Sequence, residues 1–531
     1  MRRQFLWMFA AILTCSLMMT SCSNDDNTSG GDGNNGKKLT ILYYAYGGAN
    51  LDAYLLDNIK DMYQAGGASV YDQLNICVQY KNSAKFEVNK KEKRDEQYYL
   101  DLIQQYVPGF KFQKGTTYRF LLDPTKGYSK ENPQMQFTDD NIYGGKGNKV
   151  NMGDENTLLD FINWAKENCP AENYMLIMND HGGGYMPHDD QPKTVSAGTR
   201  GIVYDDGFDD DHLMLPGIAN ALKQAGIKFK AIYFEVCMMN NLEYLYEMSD
   251  YTDYVMASTY VAPGYGADYK ALYRELATNS DFEKAIKNYY QALNVRWTDK
   301  DDPESPSYDD NTLTNTADLI KGAPAIKAFV DKLCDSYIYG DDSLRAYIDA
   351  VTANTFKVND LRPYYDLSNY LTRIRDDQKI QKADEELCDA AFEAYRAVVE
   401  PIVAQAASYY TDVIAAYHPG YSVLMGHEGQ YYVTYVEDDK NGVPHLMSYI
   451  VYTWDGLTQT CEWDETQSDY VAQNELTQWG STGAATYEQL KFDQLTGWSR
   501  WLKLNKQFPN FDTVTAGKEW DDSYVINRVW D

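Results

Sequence analysis

Runs of apolar residues that alternate with segments of helical period restrict the fold of this chain more than any other feature. The runs at 39–46 (LTILYYAY), 74–80 (LNICVQY), 174–178 (YMLIM), 229–237 (FKAIYFEVC) and 254–258 (YVMAS) are apolar almost throughout, and 118–123 (YRFLLD) adds another. A strand that is apolar toward both sides has to be covered on both sides, which is the pattern of a largely parallel sheet packed between helices. The intervening segments supply that cover. Leu51, Leu55, Ile59 and Met62 share one helical face, and Leu158, Phe161, Ile162 and Ala165 share another before Pro170. "LPGIANALKQAG" carries Pro216 near its start and Gly226 past its end, the asymmetry that helix termini favour. The expected fold class is α/β, with a mainly parallel sheet flanked by helices on both faces.

After this α/β domain, assigned to residues 38–296, the pattern changes. Residues 297–311 (WTDKDDPESPSYDDN) are acidic, Pro-containing and aperiodic, and read as a surface insertion. Residues 312–410 read as mainly helical, and 411–531 as a β-rich C-terminal region. In the latter, "QYYVTYVEDD", "HLMSYIVYTWDG" and a final Trp-rich stretch are expected to form antiparallel hairpins.

The first residues give an address. Arg2 and Arg3 precede the apolar run "FLWMFAAILTCSLMM", which is short for a bilayer span, and "MTSC" follows with Thr20 and Ser21 before Cys22. This looks like the lipobox of a bacterial lipoprotein signal peptide at 1–21, with Cys22 the lipidated residue; an ordinary secretory signal is the alternative. Residues 22–37 are polar and Gly-rich and read as a flexible tether. Asp25 and Asp26 point to the outer membrane or cell surface as destination. The chain carries a net charge of −30, which becomes roughly −32 once the two signal arginines are gone. Such a charge argues against nucleic acid and against adhesion to anionic lipid. Cys77, Cys169, Cys237, Cys334, Cys388 and Cys461 are scattered, with no pairing at zinc spacing, so no disulfide framework or metal centre is expected from them.

Two strand ends carry reactive groups. In open α/β sheets such groups gather beyond the carboxyl ends of the strands. One strand runs into "NDHGGG", which places His181 there; another ends at "FEVC", which places Cys237 at the corresponding tip. A thiol and an imidazole at adjacent tips are the minimum for nucleophilic acyl transfer. His181 lies fifty-six residues upstream of Cys237, the order and interval of caspase-type enzymes and the reverse of papain-type ones. A glycine after the histidine would let a substrate carbonyl approach the backbone closely. Each residue alone is more often structural than catalytic: a buried strand cysteine is usually inert core. "HGGG" also occurs in esterases, but no G-x-S-x-G elbow follows here.

From about 39 to 269 the sequence resembles the clostripain family of cysteine peptidases, relatives of caspases, gingipains and legumain. The likeness runs in order through "ILYYAYGGANLD", "GDENTLLDFINWAKENCPAENYMLIMNDHGGGY", "GIVYDDGFDDDHLMLPGIANALKQAG", "KAIYFEVCMMNNLEYLYEM" and "YVMASTYVAPGYGADY". More weakly, "PGYSVLMG" and "YEQLKFDQLTGWSRWL" resemble later blocks. The resemblance implies a caspase-like sheet and an endopeptidase acting on protein or peptide substrates. Cys237 would be the nucleophile, His181 the general acid/base, and the amides of Gly182 and Cys237 the oxyanion donors. Glu235 stands where the family usually has Asp, and with Ser258, Thr259, Tyr265 and Asp268 would line the specificity pocket. Tyr265 is the departure that matters, because members cleaving after Arg or Lys commonly carry an acid at that position. A basic preference and an uncharged or aromatic one both stay open.

The family often cuts itself between the His and Cys blocks, and Lys193 and Arg200 are the candidate sites. It often depends on calcium, for which "YDDGFDDDH" offers carboxylates without EF-hand spacing; a solvated acidic loop is the plainer reading. No cofactor is required for the chemistry itself, and a monomer is expected. The rivals are a surface lipoprotein that binds glycan or peptide through its aromatic residues, and a degenerate peptidase without turnover.

Overall fold

The structure is a computed structural model. It describes residues 37–505 apart from 49–50, 84–96, 99–100, 102–114, 123–149, 186–200, 209–210, 261, 298–309, 357–363, 408–420, 425–428, 439–443, 454–456, 465–468, 473–476 and 479–486. The apolar runs are strands: β1 (Lys37–Tyr46), β2 (Leu74–Lys81), β3 (Thr117–Leu122) and β4 (Ala171–Asn179). After the small hairpin β5 (Ile202–Asp205) and β6 (Asp211–Leu213) come β7 (Phe229–Glu235), β8 (Thr252–Ala257) and β9 (Asp310–Asn315). Later strands are β10 (Tyr364–Asp366), β11 (Ile402–Ala407) and β12 (Ser422–Leu424).

Eight of these strands form one sheet in the order β11-β9-β8-β7-β4-β1-β2-β3. The five central strands, β2, β1, β4, β7 and β8, are parallel to their neighbours, while β3 and β9 pair antiparallel at either side. Side chains along β1 divide between the two faces, as the period of a strand requires. Leu42, Tyr44 and Tyr46 enter one core cluster, and Leu39, Ile41, Tyr43 and Ala45 the other. Helices Glu155–Asn168 and Leu215–Ala225 cover the first face; Asp52–Tyr63, Tyr269–Thr278 and Phe282–Trp297 cover the second. The caspase-like α/β expectation therefore holds, with a helical layer on each side.

Two strands come from segments read otherwise. Asp310–Asn315 spans the end of the expected acidic insertion and the start of the expected helical region, and Ile402–Ala407 falls within that helical region, yet both are strands of the main sheet. Asp310–Asn315 is polar but for Leu313, and Ile402–Ala407 is half alanine and interrupted by Gln405, so neither shows the long apolar run that marks the central strands. The helical reading is right for what lies between: Thr316–Tyr339, Asp342–Ala353, Leu367–Asp376 and Glu385–Val399. Four of the acidic residues serve helices of this region, since Asp341, Asp366, Asp377 and Asp384 each accept a backbone N–H at an N-cap, Asp377 for the short helix Gln378–Ala383.

In the C-terminal region, Gly429–Asp438, Pro444–Thr453, Leu457–Asp464 and Asp469–Ala472 form the expected antiparallel sheet. The Trp-rich stretch is helical instead of a hairpin, as Lys491–Thr496 and Trp498–Leu504. Phe492, Trp498, Trp501 and Leu502 are buried there, and the spacing of Trp498, Trp501 and Leu502 suits a helix face, not a strand. Among the described residues no helix is long and apolar enough to cross a membrane.

Candidate active site

β4 and β7 are hydrogen-bonded neighbours, and their register pairs Asn179 with Glu235. His181 and Cys237 each lie two residues beyond that pair, so they leave adjacent strand tips at the same height. Beside them, β2 and β4 lie on opposite sides of β1, which makes the crevice between β1 and β4 the switch point where such sheets hold ligands. Both side chains are partly exposed. The two loops touch directly. A Cβ at Gly182 would lie 2.7 Å from Val236 Cβ and 2.8 Å from the Cys237 carbonyl oxygen. The glycine after the histidine is thus required for the packing of one reactive loop on the other.

The rest of the glycine run is also accounted for. Gly183 donates its N–H to the Gly201 carbonyl at 3.1 Å, and Gly182 bridges to Ile202 of β5. Gly184 has φ +71°, in the left-handed region, and a Cβ there would meet the Tyr364 ring at 2.8–3.0 Å.

Burial lowers the pKa of His181 below that of ordinary imidazole, and a ring N–H donated to the Gly48 backbone works in the opposite direction. Gly48, two residues beyond β1, has φ +46°. The imidazole is therefore oriented by the Gly48 backbone, and burial favours its neutral form, the form that can accept a thiol proton. Asp180 is buried and accepts from Tyr204 N at 2.6 Å. Burial pushes its carboxyl well above the usual range, with Asp52 and Asp205 adding to the push. Cys237 Sγ accepts a backbone N–H from Ala262 at 3.4 Å.

The pocket candidates divide by what holds them. Ser258 and Thr259 are buried and are zipped to the Cys237 loop: Met238 N donates to Tyr260 O at 2.7 Å and Asn240 N to Ser258 O at 2.9 Å. Glu235 is 4% exposed and accepts from Asn179 Nδ2, Ala267 N and Tyr269 Oη. Burial pushes its pKa up to about 7, against those three donors. It stands beneath the loop containing Tyr265, where a Cβ on Gly266 would lie 2.7 Å from Glu235 Oε1. Asp268 caps helix Tyr269–Thr278 by accepting from Ala271 N at 3.0 Å.

One residue of this wall escaped the sequence reading. Asp310, on β9, is fully buried and takes the N–H groups of Thr259 and Tyr260 at 3.0 Å. Burial raises its pKa to about 6, opposed by those same backbone bonds. No local motif flags it, because its partners are about fifty residues away in the chain.

The acidic segment after the histidine is structural in its first part. Asp205 is fully buried and bonds Lys81 Nζ at 2.6 and 2.8 Å, Met152 N at 2.8 Å and Gly207 N at 3.0 Å. It is not a solvated loop carboxylate. Among the described residues no three metal-ligating side chains converge. Cys22, Lys193 and Arg200 lie outside the described residues. Cys77, Cys169, Cys237, Cys334 and Cys388 are free thiols.

The profile of the Clostripain family matches residues 43–479. Clostripain from Hathewaya histolytica is 26% identical over 240 residues, which make up 44% of this chain and 40% of that one. The chain thus aligns with less than half the length of that curated relative. Among solved structures, a secreted cysteine protease from Bacteroides thetaiotaomicron in complex with an irreversible peptide inhibitor superposes with a TM-score of 0.48 at 16% identity, over 87% of this chain and 99% of that one. An inactive zymogen protease from Parabacteroides distasonis gives 0.42 at 13% identity, over 88% and 97%.

Proposed function

The chain belongs to the clostripain family, and from that premise we propose that it is a cysteine-type endopeptidase whose nucleophile is Cys237 and whose general acid/base is His181. The observation that carries this reading is the shared height of the two side chains at the paired tips of β4 and β7, with Gly182 seated on the Cys237 carbonyl. In the forward step the Cys237 sulfur attacks the substrate carbonyl carbon while His181 takes the thiol proton. The amides of Gly182 and Cys237 face the oxyanion. As the C–N bond breaks, His181 returns its proton to the leaving amine and a thioester remains. Water then attacks the thioester with His181 as base, releasing the carboxylic acid and the thiol.

An active-site-directed peptide bearing a thiol-reactive group tests the reading. Labelling of Cys237 should disappear in His181→Ala, and peptide cleavage should disappear in Cys237→Ala. Turnover that survives in Cys237→Ala would overturn the assignment, and absence of both labelling and cleavage in the wild type would favour a binder or a relic.

The preference at the residue before the scissile bond turns on the carboxylates nearby. The oxygens of Glu235 are committed to three donors, and Asp268 is committed to a helix cap. With Tyr265 in place of an acid, this favours an uncharged side chain over Arg or Lys. A substrate library varied at that position decides it, and efficient cleavage after Arg or Lys would restore the basic reading.

Export as a lipoprotein through Cys22 is part of the proposal, with the outer membrane or cell surface as its place and a monomer as its state. Cys22→Ala should release the protein from the membrane fraction. Self-processing at Lys193 or Arg200 predicts that Cys237→Ala stays a single chain where the wild type splits. A structural or activating calcium ion predicts loss of activity on chelation and recovery on adding the ion back.

A further inference from the structure

Among the side chains that the second half of the chain places behind the reactive loops, Tyr487 is the one that joins the histidine turn to the helix after Cys237. Tyr487 is 2% exposed and contacts both the histidine turn and the helix that follows Cys237. Its hydroxyl donates to Glu243 Oε1 at 2.7 Å. Glu243 is fully buried in helix Leu242–Met248, which begins five residues after Cys237. The Tyr487 ring meets that of Tyr185 edge-on, with centroids 5.9 Å apart and planes at 62°. Tyr185 closes the turn that begins at His181 and is itself buried.

The segment that follows Tyr487 is fastened to the same helix. Lys491 N donates to Glu247 Oε1 at 2.6 Å and Lys491 Nζ to Ser249 Oγ at 2.8 Å, on the same helix that carries Glu243 and the residue following it. Phe492 packs on Tyr246 at 5.0 Å, and Trp498 and Trp501 are fully buried. A side chain with a hydrogen bond to one reactive loop's helix and a ring contact to the other loop resists their separation. A general contribution to the core would not need to span both.

We propose that Tyr487 is a positioning residue for the His181–Cys237 pair, and that segment Tyr487–Leu504 serves as a brace fixing the distance between the two loops. This rests on the peptidase reading above. The brace acts on geometry, so its removal should lower the rate on bound substrate more than it weakens binding. A misplacement of about 1 Å costs on the order of 100-fold in rate.

The test uses the full chain with Tyr487→Ala, Tyr487→Phe and Glu243→Gln. Two readings are taken at a temperature where circular dichroism shows each variant folded. The first is kcat and KM on a peptide the wild type cleaves. The second is the rate of Cys237 alkylation by iodoacetamide against pH, which needs no turnover. Tyr487→Ala is expected to lose roughly 10- to 100-fold in kcat with KM changed little, and to shift the alkylation profile. Tyr487→Phe keeps the ring and should fall between it and the wild type. If Tyr487→Ala fails to fold, Tyr487→Phe and Glu243→Gln carry the test. An unchanged alkylation profile with kcat within about two-fold in the folded variants overturns the brace and leaves the peptidase standing. A wild-type Cys237 that reacts like a free thiol in a protein that cleaves nothing overturns the peptidase reading itself.

Discussion

Gly182→Ala is the smallest change that should separate the two reactive loops. The added methyl would lie 2.7 Å from Val236 Cβ, 2.8 Å from the Cys237 carbonyl oxygen and 2.9 Å from Val236 Cγ2. Ordinary contact begins near 3.4 Å, so the loops must part by about 0.7 Å. Neither neighbour can swing away: one contact is backbone, and Val236 is a fully buried β-branched residue. Gly182 is not among the glycines with positive φ, so alanine is tolerated by the backbone itself and the effect is steric alone. Overpacking of this kind costs about 1–3 kcal/mol of stability. A displacement approaching 1 Å between nucleophile and base costs about 100-fold in rate. The expected variant is folded, melts lower, and has kcat/KM down by about two orders of magnitude. Gly67→Ala is the control, since a Cβ there meets nothing within 4 Å. Peptide hydrolysis and thermal unfolding of the three proteins give both quantities. Retention of kcat/KM within three-fold of wild type in Gly182→Ala would refute the claim that the loops are locked together, on the same scale of about 1.4 kcal/mol per factor of ten.

Asp310→Asn should turn an acceptor toward the Thr259 amide into a donor and loosen the Ser258–Tyr260 segment, the wall of the proposed pocket. Hydrogen bonds to a charged group contribute about 1.5–3 kcal/mol, so KM is expected to rise by about ten-fold or more, and an unchanged KM would count against this role. Glu235 has a folded pKa of about 7 against 4.5 when unfolded, so the folded state binds the extra proton between those values. Its contribution to stability therefore falls as pH rises from 4.5 to 7, and melting curves of Glu235→Gln should lack that part of the slope; identical slopes would contradict it. Lys81→Met leaves Asp205 buried without its cation, since the two are 1% and 0% exposed and 2.6 Å apart. Urea denaturation should show a loss of about 3–5 kcal/mol, and a loss below about 1 kcal/mol would mean the pair is not worth its burial.

How much could be read beforehand follows from how local each signal is. The central strands are legible because burial on both faces forces an apolar run, and runs as short as 39–46 or 229–235 suit a strand better than a helix. The position of His181 and Cys237 just beyond two strand tips is legible because strand ends are local properties of the sequence. Asp310–Asn315 is not, because an outer strand of Asn and Thr residues looks like the acidic segment before it. Asp205 was misjudged as solvated because its cation, Lys81, is 124 residues away and belongs to another strand. Tyr487 and Asp310 act through partners chosen by the fold, and no spacing in the sequence announces either. The tryptophans at 498 and 501 were placed in a hairpin on composition, whereas their three-residue interval suits a helix.

The hairpin of β5 and β6 also bears on what a nick would do. Residues 186–200 separate the histidine turn from β5, but the two ends are fastened across that gap. Gly183 is bonded to Gly201, Gly182 bridges Ile202, Asp180 holds Tyr204, and Asp205 is tied to Lys81 on β2. A chain severed anywhere in that interval would have its histidine on one fragment and its cysteine on the other, yet β4 would still lie between β1 and β7 in a single sheet. The fragments would part on a denaturing gel and travel together on a sizing column. The sheet, rather than the chain between His181 and Cys237, would be the joint that keeps the two residues in one molecule.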